Sequence, residues 1–137
     1  MAENFFNSLS PETLRLVEKL LAEPLRDGAA LRAEVIEYGR KIREVGDSDA
    51  YVDVELATAI EASCLGLLDH LRATTAESQH RFIQLACRYF VEEEDEDGDL
   101  TSVIGFDDDA EVVNLVADQL GYHDLKVSGL PGLRKPR

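Results

Sequence analysis

Apolar residues recur along most of the chain at the three- and four-residue spacing of amphipathic helices, whereas the alternation typical of strands is nearly absent. The first such helix is predicted from about Pro11 to Glu23. Ser10 suits the N-cap, and a proline suits the first helical position because its missing N–H would have no partner there. Pro24 ends the helix, since the residue before a proline disfavours helical backbone.

A second amphipathic helix follows the break at Asp27-Gly28. Its apolar residues lie four and three positions apart and charged residues fill the positions between them, so one face is predicted to be buried. The apolar positions are Leu31, Val35, Tyr38, Ile42 and Val45. We expect this helix to end before Gly46.

A third helix, from about Val52 to Arg72, is apolar on most of its circumference. Its apolar positions include Val54, Leu56, Ile60, Cys64, Leu65, Leu67, Leu68 and Leu71. A helix that is apolar on all sides belongs in the middle of a bundle, so we expect this one to be the central element.

Two further helices complete the pattern. Thr74-Thr75-Ala76-Glu77 is predicted to cap the fourth helix, whose buried stripe is Phe82, Leu85, Ala86, Tyr89 and Phe90. The fifth helix is predicted from about Asp109, and Gly121 is placed to end it in a left-handed conformation. Its buried stripe is Val112, Val113, Val116 and Leu120.

The sequence therefore predicts an all-α fold, a single helical bundle of about five helices with an acidic loop between the fourth and the fifth. A chain of 137 residues with 45% apolar content is sufficient for one continuous core. We expect one helical domain over residues 1–125. Residues 126–137 have the composition of a basic, flexible C-terminal tail, which contains Arg134-Lys135-Pro136-Arg137.

Acidic residues are concentrated between the fourth and fifth helices, in what we call the acidic segment, residues 92–111. Its eleven acids are Glu92, Glu93, Glu94, Asp95, Glu96, Asp97, Asp99, Asp107, Asp108, Asp109 and Glu111. Removing these eleven from the chain's 28 acidic residues leaves 17 against 14 Lys and Arg, so the rest of the chain is nearly balanced within a total charge of −14. Such a concentration of like charge costs Coulomb energy unless a cation, a basic partner or a helix end offsets it.

The charge and the hydropathy exclude several classes of function. Nucleic acid and anionic membrane surfaces are unfavourable partners, because both are bound through Lys and Arg. The most apolar stretch, Val52 to Leu71, contains Glu55, Glu61 and Asp69, so no membrane span is predicted. The N-terminal residues lack the pattern of a secretory signal, and we expect a cytoplasmic protein. The sequence is compatible with a monomer or a homo-oligomer.

Both cysteines lie within apolar helical patterns and are far apart in the sequence. Cys64 and Cys87 are therefore predicted to be buried, reduced thiols.

The stretch from Tyr89 to Val112 resembles the YkvA-like family of bacterial domains of unknown function. The resemblance rests on Tyr89-Phe90 as an aromatic pair, Asp95 and Asp99 as spaced aspartates, Gly105-Phe106 as a glycine with its aromatic neighbour, and Asp108-Asp109 as paired aspartates. It implies a helical fold and points to the aspartates as the site, and it brings no known activity.

One interpretation of the acidic segment is a site for Ca²⁺ or Mg²⁺, which prefer several oxygen ligands. Residues 93–101 have the spacing of the start of an EF-hand loop with Gly98 sixth, but the twelfth position, where a glutamate is needed, is Ile104. An irregular cation site is therefore favoured over an EF-hand. In such a site, a turn at Gly105 would bring the first two aspartates to the last two: Asp95, Asp99, Asp108 and Asp109.

The other interpretation is structural. Asp108 and Glu111 have the spacing of a capping box, and Asp109 falls in the first turn, where the helix dipole favours negative charge. The remaining acids then form a solvated face.

The sequence offers little support for catalysis. His70, His80 and His123 lie at unrelated spacings, so each is interpreted as a surface or helix-end residue. No glycine-rich phosphate loop or nucleophile elbow is present.

Two hypotheses follow. The first is a noncatalytic interaction module whose acidic segment meets a basic protein partner or the chain's own basic tail. The alternative is a divalent-cation-binding regulatory or metal-dependent enzymatic domain that uses the aspartates.

Overall fold

The computed structural model of the chain describes residues 9–48, 54–72, 74–92 and 107–127. Over these residues the protein is all-helical, as predicted. The helices are α1 (Pro11–Leu21), α2 (Gly28–Ser48), α3 (Val54–Asp69), α4 (Glu77–Val91) and α5 (Asp107–Leu120), and α5 is followed by a short 3-10 helix, His123–Leu125. None of the helices described is both long enough and apolar enough to cross a membrane.

The predicted signals at two helix ends are confirmed. The Ser10 side chain caps α1 by accepting a hydrogen bond from the backbone N–H of Thr13, at 3.1 Å. Gly121 follows α5 with a φ of +84°, a left-handed conformation that a residue with a Cβ adopts only under strain.

The predicted end of α2 at Gly46 is wrong, because the helix continues to Ser48. A Cβ at Gly46 would clash with Cγ2 of Val54, the first residue of α3. The glycine therefore permits a close approach between the two helices.

The predicted side-chain cap of α4 is also wrong. The N-cap is Ala76, which has no side chain capable of accepting a hydrogen bond. Thr75 instead accepts a hydrogen bond from the backbone N–H of Arg72, at 2.7 Å, so its hydroxyl closes the turn between α3 and α4.

The predicted apolar stripes meet in one core. Its completely buried members include residues of four helices: Val17, Val35, Ile60, Leu67 and Phe90. The expectation that α3 alone is central needs correction, because α4 packs against all four other helices whereas α3 packs against α2, α4 and α5. The central position of α4 follows from polar contacts as well as from its apolar stripe.

We call His80, Arg81, Gln84 and Arg88 the polar stripe of α4, because they lie along one side of the helix and bind the connection between α1 and α2. Gln84, only 1% exposed, donates to the carbonyl of Pro24 and accepts from the N–H of Arg26, at 2.9 and 2.7 Å. The other polar-stripe contacts include hydrogen bonds from Arg81 to the carbonyls of Leu21 and Glu23. These bonds satisfy backbone groups that no helix pairs.

The residues after α5 are held on the bundle in a similar way. The Asn114 side chain donates to the carbonyl of Val127 at 3.1 Å and accepts from its N–H at 2.6 Å, as a neighbouring strand would. Ser63 donates to the carbonyl of Leu125. The fold therefore holds the chain as far as Val127, and residues 128–137 of the predicted tail lie outside the described residues.

Candidate functional site

The two described borders of the acidic segment are the end of α4 and the start of α5, and both are anchored in the core. Tyr89 and Phe90 are buried, and the Phe90 ring meets that of Tyr38 edge-on with 5.1 Å between centroids. On the other border, Ala110, Val112 and Val113 are completely buried. Because α4 packs against α5, the two borders belong to the same packed part of the bundle.

Glu92, the first acid of the segment, belongs to a cluster around Arg88. The guanidinium is 3.0 Å from carboxylate oxygens of both Glu23 and Glu92, and 3.8 Å from Glu34. Burial alone would lower the pKa of Arg88, but these carboxylates outweigh burial and raise that pKa above its ordinary value. Arg26 also pairs with Glu23 and Glu34, so Glu92 is tied into an ionic cluster of the bundle.

Asp109 lies inside the protein, with only 3% of its surface exposed. It is close enough to Cys64 for its charge to contribute to raising the pKa of that thiol. The burial of this carboxylate was not expected from the sequence, which suggested either a metal ligand or an acid of the first helical turn favoured by the helix dipole.

Asp108 lies within α5 because the helix begins at Asp107, two residues earlier than predicted. It is therefore in the first turn and does not occupy the N-cap position. An acid in the first turn is still favoured by the helix dipole. The Asp108 side chain itself lies outside the described residues, and Glu111 is partly buried one turn later.

The remaining predicted site residues, Asp95, Asp99, Gly105 and Phe106, lie outside the described residues. The convergence of Asp95, Asp99, Asp108 and Asp109 therefore stays a prediction. Within residues 9–48, 54–72, 74–92 and 107–127, no three His, Cys, Asp or Glu side chains are grouped so that they could hold a metal ion.

The two cysteines are buried and reduced, as predicted. They also contact each other across the α3–α4 interface, where the Cys64 sulfur lies 3.7 Å from the carbonyl of Ala86. The contact with Cys87 and then burial raise the pKa of Cys64 well above its ordinary value. A thiol with a raised pKa is a poor nucleophile, because the thiolate is the reactive form.

Each histidine has a structural contact. The His80 Nε2 lies 2.7 Å from the carbonyl of Arg26, and since a carbonyl only accepts, this nitrogen carries the hydrogen. His70 is exposed and stacks on Tyr122, with centroids 3.9 Å apart. His123 is exposed and pairs with Asp118 at 2.8 Å. All three are therefore surface or helix-end residues, as predicted.

Sequence reasoning missed a cavity of about 570 Å³ on the side of the bundle where α2 begins and α3 ends. Its polar lining includes Arg32, Arg72 and His80. No sequence signal identifies this group, because the three residues are far apart in the chain and each alone resembles an ordinary surface residue.

No protein-family model, curated protein or solved structure matches the chain. The resemblance of Tyr89–Val112 to the YkvA-like family therefore stays a prediction.

Proposed function

We propose that the protein is a noncatalytic helical interaction module that binds a basic protein partner through the acidic segment. The observation that carries the proposal is the position of the charge: residues 92–111 carry eleven acids and no Lys or Arg, and the helix ends on both sides of this acidic segment are packed into the core.

The packed borders support a binding role because they fix both ends of the acidic segment on the bundle. The borders are held by Phe90 in α4 and by Val112 and Val113 in α5, all completely buried. Rigid attachment of a binding segment lowers the entropic cost of association.

Some acids of the acidic segment are already paired or buried in the fold, so fewer acids are available to a partner. Glu92 is paired with Arg88, and Asp109 is buried. Glu111 is partly buried on α5. The proposed contact with a partner therefore rests on the other eight acids, Glu93, Glu94, Asp95, Glu96, Asp97, Asp99, Asp107 and Asp108.

Many acids elsewhere on the described surface already have basic partners. Glu37 and Glu44 flank Arg40, and Asp69 pairs with Arg32 at 2.7 Å. This local pairing supports the acidic segment as the place where negative charge remains for a partner.

The test compares two variants with the same net charge. The first carries Glu93→Gln, Glu94→Gln and Glu96→Gln in the acidic segment. The control carries Glu12→Gln, Glu18→Gln and Glu55→Gln, which are exposed positions on α1 and α3. Fluorescence anisotropy measures the binding of a labelled oligolysine peptide, and affinity capture from lysate identifies proteins that bind the parent chain.

We expect the peptide and at least one captured protein to bind the control as they bind the parent, and to bind the acidic-segment variant about tenfold or more weakly. Binding should weaken as salt is raised. An equal loss of affinity in the two triple variants would show that only net charge matters. Unchanged affinity in both variants would show that the acidic segment does not take part in binding.

A further inference from the structure

A cavity beside the start of α2 plays no part in the proposed function. We call it the α2–α3 cavity. Its volume of about 570 Å³ lies within the range of small-molecule sites. It is lined by residues from the start of α2, the end of α3 and the turn between α3 and α4, so its walls come from several elements of the bundle.

Two arginines, one from α2 and one from just after the end of α3, line the cavity. The Nη2 of Arg32 in α2 bonds to Asp69, at 2.7 Å. The Nη1 of Arg72 bonds to the carbonyls of Asp69 and Leu71 at the end of α3. These contacts hold the two guanidinium groups in position and use one nitrogen of each, whereas a guanidinium carries five N–H donors.

The acid in the lining is already engaged. The Asp27 carboxylate accepts a hydrogen bond from the N–H of Ala30, at 2.8 Å, and so caps α2. Thr75 accepts a hydrogen bond from the N–H of Arg72 through its hydroxyl oxygen. The lining therefore combines unused donors with a carboxylate whose charge is offset by a helix N-terminus.

His80 also lines the cavity and bonds to the carbonyl of Arg26, and the remaining lining residues are apolar. Leu68, Leu71 and Ala29 form this part of the wall. Gly28 lies against Leu71, and a Cβ at Gly28 would be 3.2 Å from the Leu71 side chain. Apolar walls beside a few converging donors are typical of sites that take a small organic molecule with one charged end.

We propose that the α2–α3 cavity binds a small organic oxyanion, a carboxylate or a phosphate monoester with a short apolar body. The oxyanion lies between Arg32 and Arg72, and the apolar body lies against Leu68 and Leu71. Two guanidinium groups recognise oxygen pairs of either head group, because planar forks of donors match both geometries. This site is separate from the acidic segment and does not depend on its proposed partner.

The charge requirement is tested by calorimetry and thermal shift with benzoate, phenyl phosphate, inorganic phosphate and the neutral analogue benzamide, all at the same ionic strength in potassium chloride. We expect benzoate or phenyl phosphate to bind and benzamide not to bind. Comparison of benzoate with phenyl phosphate identifies the preferred head group, and inorganic phosphate shows how much the apolar body contributes.

Arg32→Gln and Arg72→Gln are each expected to raise the Kd of the better ligand about tenfold or more. Arg40→Gln is the matched control, because Arg40 is an exposed residue of α2 that pairs with Glu37 and Glu44 away from the cavity lining. Equal effects of all three variants would overturn the proposal, since they would indicate general charge attraction.

A steric pair of variants tests the same site without changing any charge. Ala29 lines the cavity, whereas its neighbour Ala30 does not, and both are exposed residues of α2. Ala29→Phe is expected to abolish binding and Ala30→Phe to leave it within about twofold of the parent. Binding that survives Ala29→Phe, or the absence of any binding beyond that of chloride and benzamide, would overturn the proposal.

Discussion

At the scale of single residues, Gly39 shows how close packing and charge are combined in this protein. A Cβ at Gly39 would clash with the carboxylate of Glu61, coming within 2.7 Å of Oε2. Glu61 is 8% exposed and bonds to Arg43 at 2.7 Å. Because Gly39 has no side chain, the buried Glu61 carboxylate has room to bond to Arg43.

Gly39→Ala is expected to lower the free energy of unfolding by about 1–3 kcal/mol, because the new methyl group displaces Glu61. In a Glu61→Ala background the same change should stabilise the protein by about 0.5–1 kcal/mol, since alanine is the better helix former. Urea unfolding of the parent, the two single variants and the double variant measures this double-mutant cycle. A cost that is the same in both backgrounds would contradict the role assigned to Glu61.

Asp118 gives a prediction on pH. Burial alone would raise the pKa of Asp118, but Lys126 and His123 together outweigh burial and lower that pKa below its ordinary value. A lowered pKa in the folded state means that the ionised group stabilises the fold above the unfolded pKa, and that this contribution is lost as pH falls through the folded pKa.

Asp118→Asn is therefore expected to be less stable than the parent near neutral pH, and the difference should shrink below about pH 4, where the carboxylate becomes protonated. Urea unfolding at several pH values measures it. Asp124→Asn is the control, because Asp124 is an exposed acid of the same segment. A stability difference between Asp118→Asn and the parent that stays constant into strong acid would show that the ion pair is not its cause.

At the scale of elements, α4 organises the bundle through its apolar stripe and its polar stripe. The apolar stripe could be predicted, because helical periodicity is a local property of the sequence. The polar stripe could not be predicted, because its partners lie 54 to 65 residues earlier in the chain and are mostly backbone groups. Glycine at position 46 was misread for a related reason, since the residue that needs its space belongs to another helix.

Gln84→Ala is expected to lower the free energy of unfolding by about 1–3 kcal/mol, because it removes both hydrogen bonds to the α1–α2 connection inside the protein. Gln79→Ala on the same helix is the matched control. Gln79 is exposed, and its replacement should stay within about 0.5 kcal/mol of the parent. Hydrogen exchange at the Arg26 amide provides a second measurement, and unchanged protection in Gln84→Ala would contradict the contact.

At the scale of the whole molecule, a net charge of −14 dominates the electrostatics. Like charges repel one another in the compact state, and salt screens that repulsion. Raising potassium chloride from about 10 to about 200 mM is therefore expected to raise Tm, as followed by circular dichroism.

The same experiment bears on the aspartates of the acidic segment. Calcium or magnesium chloride at matched ionic strength is expected to add no saturating increase in Tm. A saturating increase that Asp95→Asn and Asp99→Asn remove would contradict this prediction and favour the alternative of a divalent-cation site.

The candidate site was less predictable than the fold. Charge counting located the acidic segment, because charge is read directly from the sequence. The i,i+4 spacing of Arg88 and Glu92 is a local signal that could have indicated their ion pair. Charge counting did not reveal that Asp109 is buried, because its burial depends on how α5 packs against α3 and α4. The arginines of the α2–α3 cavity were missed for the same reason.

The attachment of the α1–α2 connection to α4 also sets an order for folding. The helix pairs α2–α3 and α4–α5 consist of neighbours in the chain, so their contacts close fewer residues than the contacts of the α1–α2 connection with α4. The connection before α2 finds its hydrogen-bond partners only once α4 is helical and docked, which requires closing a loop of 54 to 65 residues. Because such long-range contacts cost more loop entropy, α1 and its connection should join the bundle late and be the first part to detach when the protein opens.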